Sequence, residues 1–130
     1  MTAISGYSYN PQVEGGLKAG SDYSSANNYL LMKIDTSADD QLLTAGAGEE
    51  CVGIRINKPG SGEAVELAIG GVAPLKLGGT VTRGGQVKSD ASGQGVAASS
   101  DKDKAFGQAL RSGVSGDIIP ILIKPIHLGV

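Results

Sequence analysis

A small all-β domain is the fold this sequence predicts. It is a β-barrel or tulip-like closure of about eight short strands, preceded by an extended arm. Three observations lead there. Glycine accounts for 21 of 130 residues, against about nine at ~7% average usage. Apolar residues recur at period two in short runs, the signature of half-buried strands. Glycine-rich turn signals separate those runs at the spacing of a compact barrel or sandwich.

Residues 1–28 carry no apolar run and hold three of the four tyrosines, Tyr7, Tyr9 and Tyr23. Without hydrophobic periodicity this segment closes no core of its own. It is either a frayed terminus or an extended arm that orders on a neighbour. Tyrosines on a polar background suit the second, since each offers large contact area at small entropy cost. Residues 29–130 form the domain.

The first strand is expected over Tyr29–Asp35, with Leu30, Met32 and Ile34 on one face. Cys51–Asn57 follows, with Val52, Ile54 and Ile56 aligned. Glu63–Ile69 sets Val65, Leu67 and Ile69 opposite Ala64, Glu66 and Ala68, and Ala73, Leu75 and Leu77 continue the theme. Gly70-Gly71 between the last two runs predicts a two-residue hairpin turn. Lys58–Gly62, Gly78-Gly79, Arg83–Gly85 and Ser92–Gly95 mark further turns. In Ala105–Arg111, Phe106 and Leu110 share a face, and Ala105, Gly107 and Ala109 form a small-residue face that lets another backbone approach closely. Asp117–Lys124 is apolar on both faces, so it is sandwiched within the domain or meets another subunit. Pro120 lacks a ladder donor and belongs at an edge or bulge. The helix candidates are brief, Thr36–Leu42 and Ser99–Ala105.

The composition excludes several functions. The 11 Lys and Arg are scattered against 13 acidic residues, so no basic face invites nucleic acid. No apolar run approaches the ~20 residues of a membrane-spanning helix. The N-terminus lacks the basic start and apolar stretch of a signal peptide. The one cysteine, Cys51, excludes an internal disulfide.

The inventory of reactive groups is short. Cys51 and the one histidine, His127, make a catalytic pair only if adjacent in space. Arg55, on the same side of its strand as Cys51, is the group that would lower a thiol pKa. The reading preferred here is a packed cysteine and an exposed tail histidine. One Cys and one His make no zinc tetrad. Asp39-Asp40 and Glu49-Glu50 match no calcium-loop spacing. No phosphate-loop motif occurs. Lys76 lies inside an apolar run, unlike the hairpin-tip lysine of a lipoyl module. The sequence therefore predicts no enzyme, no catalytic, cofactor or metal site, no cofactor and no small-molecule substrate.

Six stretches carry a resemblance. They are Cys51–Ile54, Gly62–Ala73, Gly85–Val87, Gly93–Ala97, Phe106–Leu110 and Gly116–Ile123. In order and spacing, over roughly residues 29–124, they resemble the small capsid decoration, or cement, proteins of tailed bacteriophages. The resemblance implies a protein made in the bacterial cytoplasm that binds the outer surface of an icosahedral head as a homotrimer. It would clamp neighbouring major capsid subunits and so stabilise the shell. The N-terminal 28 residues depart from the shorter family members. Tyr7, Tyr9, Pro11 and Tyr23 are the candidate capsid contacts. Ile118, Pro120 and Leu122, on the doubly apolar run, are the candidate trimer seam. The alternative is another virion part, a head fibre base or a tail-tube or head-tail adaptor.

Overall fold

The computed structural model describes residues 10–99 and 103–127. Nine strands run β1 (Asn10–Ala19), β2 (Leu30–Ile34), β3 (Gln41–Thr44), β4 (Gly53–Arg55), β5 (Ala64–Lys76), β6 (Gln86–Ser89), β7 (Gly95–Ala97), β8 (Lys104–Ala109) and β9 (Ile118–His127). Among the described residues there is no helix, and the all-β expectation holds. The strands form one sheet in the order β1-β3-β2-β4-β5-β9-β8-β6-β7, and β1 also pairs with β5. The first five strands thereby close a ring. It is not a regular barrel, because β1 meets β3 only through Lys18↔Gln41 and Ala19↔Leu42. The other four strands continue from β5 as a second leaf.

β5 belongs to both parts, and its sequence explains how. One flank carries β1 from Val72 back to Ala64. The other carries β4 at Leu67 and Ala68 and then β9 from Val72 to Lys76. Val65 and Leu67 point into the ring core with Ala19, Tyr23, Met32 and Leu42. Ala68, Ala73, Leu75 and Leu77 join the larger core with Leu31, Ile54, Phe106, Ile119 and Ile121. The change of face falls at Ile69, which is 40% exposed rather than aligned with Val65 and Leu67. Opposite it the β1 register skips, from Gln12↔Gly70 to Val13↔Ala68. The extra residue is a β-bulge, which bends the strand and redirects its side chains.

The hairpin expected at Gly70-Gly71 is therefore corrected. The two runs are one 13-residue strand, and Gly71 takes φ 73° within it. Glycine permits that left-handed conformation inside a strand, so the pair bends the chain without reversing it. β2 likewise serves both cores, with Leu31 in the large one and Met32 in the ring. Ile34, expected beside Leu30 and Met32, is exposed.

The helix expected over Thr36–Leu42 is a turn and then β3. The Asp35 carboxylate accepts the Ser37 N–H at 2.9 Å and the Ser37 hydroxyl at 2.6 Å. Such local bonds offer the backbone an alternative to helix, and the chain folds back with Asp35 N–H donating to Gln41 O. In the second helix candidate, Lys104 and Ala105 lie in β8 and residues 100–102 fall outside the described residues.

β9 has both faces covered by its own domain at Ile118, Ile119, Pro120 and Ile121, between β5 and β8. Pro120 stands opposite Pro74 on β5. Its carbonyl accepts from Leu110 N–H, one residue past the end of β8, so the edge or bulge expected for Pro120 is corrected to a buried position inside the sheet, between β5 and the residue that follows β8. On β8, Gly107 is buried and pairs with Val87 on one side and Ile123 on the other. This is the close backbone approach its small-residue face predicts. Leu110, expected on the Phe106 face, is exposed instead.

Candidate functional site

The feature with the most local chemistry is a surface pocket of about 340 Å³ lined by Asn27, Asn28, Tyr29, Lys58, Lys76 and Ile118. It lies where the segment before β2, the turn after β4 and the meeting of β5 with β9 come together. Arg55 holds two of these walls. The last residue of β4, it is fully buried. Its Nη1 donates to Asn57 O at 2.6 Å and to Asn28 Oδ1 at 3.4 Å. Its Nη2 donates to Asn27 O at 2.5 Å. The guanidinium carbon lies 4.7 Å from the centroid of the Tyr23 ring, a cation–π contact. Only a planar fork with several donors joins two loops in this way.

The backbone reinforces the arrangement. Tyr29 N–H donates to Arg55 O, and Lys76 N–H donates to Tyr29 O, both at 2.9 Å. Tyr29 holds φ 66°, a left-handed conformation uncommon for a non-glycine residue. Tyr23 N–H donates to Pro59 O at 2.8 Å, tying down the Lys58 turn. Arg55 has no carboxylate partner among the described residues, and its Nε makes no hydrogen bond. Burial lowers its pKa from the ordinary value, an effect opposed by Tyr23.

Tyr7 and Tyr9 lie outside the described residues. Pro11 is half-buried near the start of β1, opposite Gly71. Tyr23 is 8% exposed and sits in the ring core. Its hydroxyl oxygen accepts Thr44 N–H at 3.0 Å. The residue named as a capsid-contact candidate is thus covered by its own domain in the single chain. Within the stretch named as an arm, Asn10–Ala19 is β1, which lies along β5 of its own domain, and residues 20–28 are turns and bends. Ile118 and Pro120, named for the seam, are buried within one chain, between β5 and β8. Leu122 remains half-buried.

Cys51 is buried, and its thiol pKa is pushed up to about 12 by that burial, with Glu49 and Glu50 adding to the rise. A thiol so placed is a packing group; Arg55 does not activate it. The backbone of His127 closes β9 opposite Lys104 rather than forming a tail. Glu49 pairs with Lys33 at 3.0 Å. Among the described residues no cluster of His, Cys, Asp and Glu is placed to hold a metal ion.

Sequence reasoning missed the pocket. Asn27 and Asn28 read as arm, Lys58 as turn and Lys76 as strand, and no spacing in the sequence brings the four together. The available signal was Arg55, a cation between two isoleucines in Ile54-Arg55-Ile56.

The described residues form a small glycine-bent β module in which one strand, β5, contributes to two cores. No protein-family model and no curated protein matches the sequence. The fold is similar to that of the head fibre gp8.5 N base of bacteriophage phi29. That crystal structure superposes with a TM-score of 0.71 at 15% identity, over 92% of this chain and all of the other.

Proposed function

We propose that this chain is a structural protein of a tailed-phage virion that sits on the outer surface of the head. The observation that carries the reading is the end-to-end likeness to the phi29 head fibre base. The decoration-protein resemblance of residues 29–124 points the same way. In this role the domain is a trimeric clamp on major capsid subunits. Each contact is weak, but three tethered copies act at high effective concentration, and avidity exceeds single-site affinity by ~10²–10⁴. Cyclic symmetry matches a three-fold position on the shell. Tyr7, Tyr9 and Pro11, from the stretch 1–28 named as an arm, are the proposed shell contacts. Leu122 is the remaining member of the proposed seam.

The phi29 likeness favours a second reading, the foot of a fibre. One experiment tests both. Undecorated heads of the encoding phage are incubated with purified protein and imaged by cryo-electron microscopy. Added density repeating at three-fold positions is the expected result. Density only at the foot of protruding fibres selects the second reading. Heads that gain no density refute the head-surface role.

A further inference from the structure

The geometry points to the pocket above Arg55 as a binding site for a carboxylate-bearing protein segment, an acidic side chain presented by a capsid subunit in the proposed role. Three observations carry it. First, Lys58 and Lys76 both line the pocket, and no acidic residue does. Lys33 pairs with Glu49 and Lys88 with Asp103 elsewhere in the domain, whereas neither pocket lysine pairs with an acidic residue among the described residues. In a chain of net charge −2, two uncommitted cations beside a third, buried one make a local field opposite to the whole. Such a concentration of one sign steers and selects an anionic partner.

Second, Arg55 is fully buried behind the wall and bonds to neutral oxygens only. A buried charge without a counter-ion is costly. An anion held by Lys58 and Lys76 would supply the missing charge from the pocket side. Third, the walls are pinned in advance. Arg55 clamps Asn27, Asn28 and Asn57, and Tyr29 is held from both sides by backbone hydrogen bonds. A site whose loops are ordered before binding loses less entropy on binding. Asn27 and Asn28 add polar groups to the lining, and Ile118 adds an apolar one. A peptide is favoured over a free inorganic anion because the pocket is open and mixes an apolar residue with its polar ones.

The carboxylate chemistry stands on the pocket alone; the capsid identity of the partner rests on the proposed head-surface role, and the test separates the two. The isolated protein is titrated with hexaglutamate, hexaglutamine and inorganic phosphate while backbone amide resonances are followed. Hexaglutamate is expected to shift Asn27, Asn28, Tyr29, Lys58 and Lys76 saturably, and hexaglutamine is not. The double variant K58Q/K76Q should bind hexaglutamate roughly five- to tenfold more weakly, the size expected for two partly exposed charge contacts. K33Q/K88Q, which removes the internally paired lysines, should bind as the parent does. Absent shifts, equal weakening by both double variants, or saturation by phosphate at the concentration of hexaglutamate that saturates would overturn the site. On heads, parent protein that binds while K58Q/K76Q binds equally well refutes the pocket's role and leaves the head-surface reading intact. Parent protein that takes up hexaglutamate but ignores heads refutes the capsid partner and leaves the pocket.

Discussion

Gly107 is the position where one added methyl group tests the packing most directly. A Cβ there would lie 2.7 Å from Leu122 O and would overlap Ile121 Cγ2. A carbon and a carbonyl oxygen normally sit at about 3.3 Å or more, so β8 and β9 must part by roughly half an ångström. Gly107 cannot yield toward solvent, because it is buried and pairs with Val87 on its other side. Overpacking of this kind costs about 1–3 kcal/mol. Restricting the unfolded chain returns about 0.4–1 kcal/mol. Gly107→Ala is therefore expected to destabilise the domain by about 1–2 kcal/mol, which at this chain length is a fall of roughly 4–10 °C in Tm. Gly79→Ala is the control: its nearest contact would be Val96 Cγ1 at 3.4 Å, and its stability should stay within about 0.5 kcal/mol of the parent. Urea titration and thermal unfolding measure both. A Gly107→Ala protein as stable as the control would refute the strand packing argued here.

Arg55→Met should cost about 2–4 kcal/mol in urea unfolding, because it leaves the Asn27 and Asn57 carbonyls without their charged donor; unchanged stability would count against Arg55 as the clamp. Tyr23→Phe removes the acceptor of Thr44 N–H and should cost about 1–2 kcal/mol, a loss that an exposed contact tyrosine would not show. Asp35 is held below its ordinary pKa by the Ser37 hydroxyl and N–H, Asp22 likewise by Ser24, and Glu49 by Lys33 and then Gly46 N–H. Carboxyls depressed in the folded state stabilise it above their unfolded pKa of about 4 and lose that effect as the pH falls through the folded values. Stability should thus decline below about pH 4, and Asp35→Asn should make the decline shallower; an identical acid limb would remove Asp35 from the account. With its thiol pKa pushed up to about 12, Cys51 should resist iodoacetamide at pH 8 in the native protein and react in urea; native labelling at the denatured rate would contradict its burial.

Particular residues mark the limit of what the chain reveals before folding. Ile118–Ile123 is apolar at every position, and it is covered on both faces at its start. Phe106 and Gly107 announced a packed ring beside a close backbone approach, and both are present. Gly70-Gly71 misled because a glycine pair permits either a reversal or a bend. The choice was made by β1, whose pairing across Val72–Ala64 keeps β5 one continuous, bent strand. Ile69 and Leu110 broke their alternation for a related reason: one falls at a bulge and the other just past the end of β8. Tyr23 looked like a free aromatic in a polar arm until the ring closed around it.

Periodicity and glycine density alone determined an all-β chain with an aliphatic core, and Cys51 already read as a packed cysteine. These are local properties, since whether a side chain has an apolar surface to face is written within a few residues of it. Tertiary structure alone decided that five strands close a ring, that β5 serves two cores, and that Asn27, Lys58 and Lys76 meet around Arg55. Each of those depends on which distant backbone supplies the hydrogen-bonding partner, and no window of neighbouring residues carries that information.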